Sequence, residues 1–314
     1  MKKITLVISF FIVNSAIAQD STFKPGIEVS FPASNINHKK IVVAGASFAG
    51  YTGSLYFLNK AWYKDYPKSS FHTFDDNSEW LQIDKVGHLW TAYNTSRLLY
   101  VLWKWAGCTS NESVLIGTLS GFSYMTVIEF LDAHSAKWGW SWGDISANFA
   151  GSSIFLVQQL AWKEQKLQIK FSSHKVLYSN ELLARANDLY GKSLAERLLK
   201  DYNAQTYWMS FSLARIFRNR KLPGWLNIAI GYGAEGMFGA NENIGFDKNG
   251  QITFNRTDIK RFRQWYLAPD IDLTKIKSKN KIIQSLFTAL NSIKFPAPSI
   301  EFSNNRIRGH WLHF

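Results

Sequence analysis

The strongest constraint in this sequence is a set of ionisable and amide side chains inside apolar, helix-forming segments between residues 84 and 151. The stretch begins with DKVGH, continues to EFLDAH and ends with GWSWGDISANFAG. Burying a polar group costs free energy unless the group is paired or takes part in chemistry. The fold must therefore bring these side chains to one another, or to a ligand.

Four helices are predicted in the first half of the chain, mostly antiparallel to one another. An uncharged run at 41–59 forms the first, and 84–105 forms the second. The third occupies 113–133, after a segment rich in N-cap residues. The fourth starts with the capping-box pattern at Ser141 and runs to residue 166.

Small residues at four-residue spacing occur in the first and third helices. Gly45 and Gly53 share a face of the first helix, and Gly117 and Gly121 share a face of the third. Such ridges let a second backbone approach closely, so we predict glycine-mediated packing throughout the unit. The nineteen uncharged residues of 41–59 are near the lower limit for a membrane span. A span and a buried core helix both fit this run.

The hydrophobic period changes from helical to alternating after residue 167. Large apolar residues alternate with small or polar ones in 207–214, 226–233 and 264–273. This pattern is typical of a half-buried sheet, and also of an outer-membrane barrel wall with lipid outside. Residues 181–201 predict one amphipathic helix in the same half. The predicted fold class is α+β, with a four-helix unit followed by an antiparallel sheet of six or seven strands, either barrel-like or wrapped against the helices.

The N-terminus has the features of an export signal. Lys2 and Lys3 precede an apolar run, and Ala16-Ile17-Ala18 fits a cleavage site. An uncleaved anchor helix is the alternative, although the run is short for a bilayer span. We predict a signal peptide at 1–18, a helical domain at 19–166 and a β-rich domain at 167–314. The residue directly after the predicted cleavage point is Gln19 and not a cysteine, so lipidation is not expected there.

Charge and composition indicate the class of partner. The formal net charge is +13, and 16% of the residues are aromatic. Positive charge favours an anionic lipid or lipopolysaccharide surface, and Trp and Tyr suit a membrane–water interface. Other envelope proteins are a further class of partner. Lys and Arg are scattered and no nucleic-acid motif is present, so nucleic acid is not a predicted partner.

Three pairs of polar residues should meet at one end of the helical unit. Members of each pair are three or four residues apart and so share a helix face. Antiparallel connectivity places the start of the second helix, the end of the third and the start of the fourth together. The pairs are Asp84 with His88, Glu129 with Asp132, and Asp144 with Asn148, and Lys85 lies beside the first.

Two kinds of role fit this cluster. His88 could act as an acid/base with Asp132 and Glu129, or the carboxylates could bind a divalent metal. No other cofactor is predicted, and the chain has no HExxH motif, serine elbow or phosphate loop. In the structural alternative, Asp144 caps its helix while Lys85 and His88 neutralise the acidic groups.

Residues 80–160 resemble the YfiM-type family of predicted periplasmic lipoproteins. The resemblance is carried by Asp84-Lys85-x-x-His88, by Glu129-x-x-Asp132 and, most specifically, by the GWSWxD run that ends at Asp144. A weaker resemblance links the same layout to VanZ-like membrane proteins. The sequence departs from the YfiM pattern in having Asn148 at an aspartate position, no lipidation cysteine, an extra apolar helix and a long C-terminal half. The resemblance implies an envelope location and no particular activity.

Three functional hypotheses follow. The first is a structural or accessory protein of the outer membrane. The second is a membrane-proximal hydrolase or lipid-modifying enzyme that uses His88 and its acidic neighbours. The third, a pore, rests on the strand pattern alone.

Overall fold

The computed structural model describes residues 37–314 except 65, 218–220 and 248. The predicted signal peptide at 1–18 lies outside the described residues. Four long helices form the first half, as predicted. They are α1 (His38–Leu58, extended by a π-helical turn at Asn59–Tyr63), α2 (Ile83–Trp105), α3 (Ser110–Asp132) and α4 (Trp142–Trp162).

Helix α2 is central, since both α3 and α4 pack on it through glycines. A Cβ atom on Gly121 would lie 2.3 Å from Ser96 Oγ, and one on Gly151 would lie 2.2 Å from the carbonyl oxygen of Leu89. Only the absence of a side chain allows these backbones to approach so closely. The predicted ridge at Gly117 and Gly121 therefore packs as expected.

Helix α1 departs from the predicted glycine packing. Among the described residues, no atom outside the helix's own backbone lies within 4 Å of the position that a Cβ would take on Gly45, Gly50 or Gly53. The helix contacts α3 instead through stacked rings of Tyr51 and Tyr124, 4.5 Å apart. Its residues are otherwise mostly exposed, although they are largely apolar.

Two described helices are long and apolar enough to cross a membrane, namely the continuous helix His38–Tyr63 and α3. The first of these buries almost none of its residues against the described part of the chain. A core helix would bury its apolar residues, so within residues 37–314 the segment 41–59 is not a buried core helix.

The second half is built on an antiparallel sheet, and the predicted α+β class is confirmed. Its strand order is β1-β2-β3-β6-β7-β8, the sheet is not closed, and β4 and β5 form a separate ribbon. The strands are β1 (Leu167–Ser173), β2 (Gln205–Ser212), β3 (Leu226–Glu235), β4 (Ile244–Phe246), β5 (Ile252–Asn255), β6 (Phe262–Ile271), β7 (Ala297–Ser303) and β8 (Arg306–His313).

The helices of this half differ from the single one predicted at 181–201. That segment forms α5 (Asn180–Tyr190) and α6 (Leu194–Lys200), because Gly191 takes a positive φ of 80° and Ser193 caps a new helix. The structure also has a short α7 (Leu213–Ile216) and α8 (Lys281–Leu290).

The buried face of the sheet carries most of its polar side chains, together with two large aromatic ones, and the exposed face is largely apolar. Lys170 lies 2.7 Å from Asp270, which also accepts a hydrogen bond from Ser210, and all three are buried. On the opposite face, Ile230 and Trp265 are exposed. Apolar side chains on the exposed face are not expected for a half-buried sheet of a soluble protein, and the described strands do not close into the predicted barrel-like form.

Replacing Gly151 with Ala should destabilise the fold by about 1 to 3 kcal/mol, because the α2 and α4 backbones must separate. Gly53→Ala is the matched control, since the space around that helical glycine is open. Alanine favours a helix by about 1 kcal/mol over glycine, so the control should unfold at the same temperature or slightly higher. Thermal unfolding in detergent measures both. Equal midpoints for the two variants would contradict the described packing.

Candidate functional site

Lys85 is the centre of the polar cluster that the sequence predicts. Its Nζ lies 2.7 Å from Asp76 Oδ1, 2.8 Å from Asp144 Oδ1 and 3.4 Å from Asp84 Oδ2. The side chain is 13% exposed. One ammonium group therefore joins the loop before α2, the first turn of α2 and the first turn of α4.

His88 lies one helical turn further along α2 and contacts the other two helices. Its Nδ1 is 3.2 Å from Asn148 Oδ1 and 3.4 Å from Glu129 Oε1. Its Nε2 is 3.9 Å from Asp144 Oδ1. The Asn148 oxygen only accepts hydrogen bonds, so the hydrogen bond to it places the His88 proton on Nδ1.

Asp132 is the predicted residue that lies furthest from this group. It belongs to the wall of the adjacent cavity and pairs with the hydroxyl group of Tyr63, which follows α1. Six of the seven predicted residues, Lys85 and His88 among them, thus form one group of direct contacts. Their roles in chemistry stay a prediction.

The helix-capping alternative for Asp144 is wrong. Ser141 caps α4, because its Oγ accepts from the Asp144 backbone N–H at 3.1 Å. The Ser141 backbone N–H is directed at Glu129 Oε2, 3.4 Å away, in place of the return contact of a capping box. The Asp144 carboxylate is therefore available to Lys85 and His88.

Two members of the cluster were missed from the sequence. Asp76 pairs with Lys85 and accepts a hydrogen bond from Ser141 Oγ at 2.6 Å. Tyr202 lies in the C-terminal half and donates its hydroxyl proton to Asp84 Oδ1 at 2.6 Å. The adjacent acids Asp75 and Asp76 were a usable signal in the segment between the first two predicted helices. Nothing local distinguishes Tyr202 from other tyrosines.

The chain enters α2 through three consecutive left-handed residues. Trp80, Leu81 and Gln82 have φ values of 49°, 50° and 63°. Each such non-glycine conformation costs about 1 to 3 kcal/mol and persists only where its surroundings impose it. The Trp80 N–H donates to Ala240 O at 2.8 Å, and Arg263 donates to the Gln82 side chain. Strain of this kind next to Asp84 is typical of functional sites.

The electrostatics of the cluster are dominated by acidic groups. Burial alone would lower the pKa of His88, but the charges of Asp144, Asp84 and Glu129 outweigh it and raise that pKa to about 9. Burial raises the pKa of Asp144 to about 7, against the opposing charges of His88 and Lys85. Burial and the neighbouring acids also raise the pKa of Glu79 to about 7. Clustered shifts of this size are common at functional sites.

A cavity of about 520 Å³ opens onto the cluster. One end is polar and includes Asp84, His88 and Asp144. The rest of the wall is largely apolar and is formed by α1, α3 and the segment around α6, with Phe57, Met125 and Leu198 as examples. A volume of this size holds a small molecule or part of a lipid.

The segment that carries the cluster is similar to a known protein family. Residues 72–159 match the family model described as predicted periplasmic lipoprotein (DUF2279). The resemblance recognised in the sequence is therefore confirmed, and the matched segment contains every predicted site residue as well as Asp76. The description of DUF2279 as periplasmic agrees with the predicted export and envelope location. Neither the curated proteins nor the solved structures that were searched gave a significant match.

Replacing Lys85 with Met should destabilise the protein by about 3 to 5 kcal/mol, because it leaves buried carboxylates without their cation. Lys104→Met on the same helix is the control. Lys104 is exposed and donates to Ser110, so its loss should cost less than about 0.5 kcal/mol. Thermal unfolding in detergent compares the two. A Lys85 variant as stable as the control would show that the cluster does not hold the bundle end together.

Proposed function

We propose that this chain is an outer-membrane-associated envelope protein whose exposed apolar faces contact lipid directly. The observation that carries the proposal is the reversed polarity of the sheet. Along β6, exposed and buried positions alternate strictly from Arg263 to Ile271. The buried ones are Gln264, Tyr266, Ala268 and Asp270, and the exposed ones include Trp265 and Leu267. Lipid outside and polar groups inside is the arrangement of outer-membrane strands.

Exposed aromatic side chains outside β6 support the same environment. In α1, Phe48 is 74% exposed, and in β8, the last strand, Trp311 is 92% exposed. Soluble monomers rarely expose continuous apolar patches of more than a few hundred Å². Lipid would cover these surfaces, and the net charge of +13 favours anionic lipid or lipopolysaccharide around them.

Cell fractionation tests this proposal. The chain should sediment with the outer membrane and resist carbonate extraction. The double variant Trp265→Lys, Leu267→Lys should be depleted from that fraction, because a lysine facing the bilayer centre costs about 2 to 4 kcal/mol. The control is Asn249→Lys with Gln251→Lys in the exposed β4–β5 turn, which should fractionate like the natural chain. Recovery of the natural chain wholly in the soluble periplasm would overturn the proposal.

A second candidate function is a hydrolase or lipid-modifying enzyme, and the cavity is the observation that favours it. A scaffold protein has no need of a cavity that joins a charged cluster to apolar walls. An amphiphile fits this shape, with its polar group at His88 and its apolar chain along α1 and α3. Because α1 both lines the cavity and is exposed outside, a lipid could enter from the membrane side.

His88 would act as the acid/base in this function. Its Nδ1 is held by Asn148 and Glu129, and the ring lines the cavity. A histidine oriented in this way can exchange a proton with a substrate or a water molecule through Nε2. Lys85 would then position Asp144 and Asp84 around the polar end.

Incubation of the purified protein with an envelope lipid extract tests the enzyme candidate. We expect mass spectrometry to detect a converted lipid, and His88→Gln to lower its rate by about 10² to 10⁴. His38→Gln, at the exposed start of α1, should leave the rate unchanged. An extract left unaltered by the natural chain, or equal rates in the His88 variant, would exclude this candidate.

A further inference from the structure

We propose that Asp84, His88 and Asp144 bind a divalent transition-metal cation, with Zn²⁺ as the best-matched ion, at the polar end of the cavity. One donor atom from each residue lies within 4.8 Å of the other two. Two of the residues are four apart on α2 and the third lies in the first turn of α4, so rigid elements hold all three. The inference deepens the enzyme candidate and rests on it for any reaction, but ion binding can be tested without one.

The orientation of His88 is that of a metal ligand. Metal-binding histidines almost always donate the N–H of the other ring nitrogen to a carboxylate or a carbonyl group. Here Nδ1 faces Asn148 Oδ1 and Glu129 Oε1. This arrangement leaves Nε2 on the side of Asp144, 3.9 Å from its Oδ1, where it can bind a cation that displaces its proton.

Unpaired buried atoms indicate a missing partner. Within the described part of the chain, Glu129 Oε1, Asp144 Oδ1 and Asn148 Nδ2 have no hydrogen bond, and the Glu129 side chain is only 1% exposed. Asp144 Oδ1 does contact Lys85 as an ion pair at 2.8 Å, and Glu129 Oε1 faces His88 Nδ1 at 3.4 Å. Buried polar atoms are normally satisfied by hydrogen bonds. A cation beside Asp144 and Nε2 would give the Asp144 oxygen a second positive partner and would strengthen the contacts of Nδ1.

The charge of the cluster also favours a cation. Four carboxylates contact Lys85 or His88, and even with His88 protonated the cluster has only two positive side chains. The acids are Asp76, Asp84, Glu129 and Asp144. Like charges at this distance in a buried site repel strongly. A divalent ion would offset two of them.

The donor set selects the ion. Imidazole suits Zn²⁺ and other transition metals, whereas Mg²⁺ and Ca²⁺ prefer oxygen ligands alone. Three protein ligands with a remaining open position are typical of catalytic zinc sites. The open position here would face the cavity, where a bound ion could polarise an acyl or phosphoryl oxygen of an amphiphile.

Metal titration of the purified, tag-free protein, stripped with a chelator, tests the site. Calorimetry and elemental analysis should show one Zn²⁺ per chain, with Mg²⁺ binding at least a hundredfold more weakly. Asp144→Asn and His88→Gln preserve side-chain volume and should each weaken Zn²⁺ binding at least a hundredfold. The controls His38→Gln and Asp188→Asn remove an exposed histidine and an exposed acid and should bind as the natural chain does.

Asn148→Asp provides a second variant that does not depend on loss of binding. A carboxylate at this position would accept the His88 N–H more strongly and make Nε2 a better ligand, so Zn²⁺ affinity should rise at least tenfold. Absence of stoichiometric Zn²⁺, or equal affinity in the natural chain and the Asp144 and His88 variants, would overturn the proposal. Lipid conversion by protein that binds no ion would overturn it while retaining the enzyme candidate. Ion binding without any lipid conversion would support the metal site and exclude the enzyme candidate.

Discussion

Buried charge must be paired, and Lys85 provides most of that pairing at the end of the helical bundle. Its ammonium group contacts acids from the loop before α2 and from the first turns of α2 and α4. Tyr202 then joins Asp84 to the C-terminal half. The cavity, the orientation of His88 and the contact between the two halves all depend on this set of interactions. The glycine contacts of α2 make it possible, because they bring the three helices close enough.

The same rule governs the sheet, where polar groups are again inside. Lys170 pairs with Asp270 on the buried face, while the apolar side chains of β3 and β6 are exposed. An aqueous protein is normally arranged in the opposite way, because water hydrates charges and expels apolar surface. The consistency of the two halves is the physical basis for proposing lipid, rather than water, as the outer environment. The polar cluster is then the inner lining of a protein that is apolar outside.

Local sequence predicted the convergence of the cluster but not all of its members. Helical spacing and antiparallel connectivity were sufficient to place Asp84, His88, Glu129 and Asp144 together. Tyr202 could not be predicted, because its contact is set by the packing of the two halves and by no local pattern. Strand alternation likewise predicted the strands and left open which face is buried, since period two is the same for water and lipid. Small residues in α1 are equally ambiguous, since they permit a close neighbour without requiring one.

The left-handed residues before α2 have a consequence for how the protein matures. Trp80, Leu81 and Gln82 are held in place by Ala240 and Arg263, which lie far later in the chain. During synthesis the helical bundle emerges first, at a time when these anchors do not yet exist. The start of α2 can therefore reach its final position only after the sheet has assembled. Formation of the complete site is in this way coupled to synthesis of the whole chain. A truncated or stalled product would contain the segment that matches the family, residues 72–159, without the complete polar cluster.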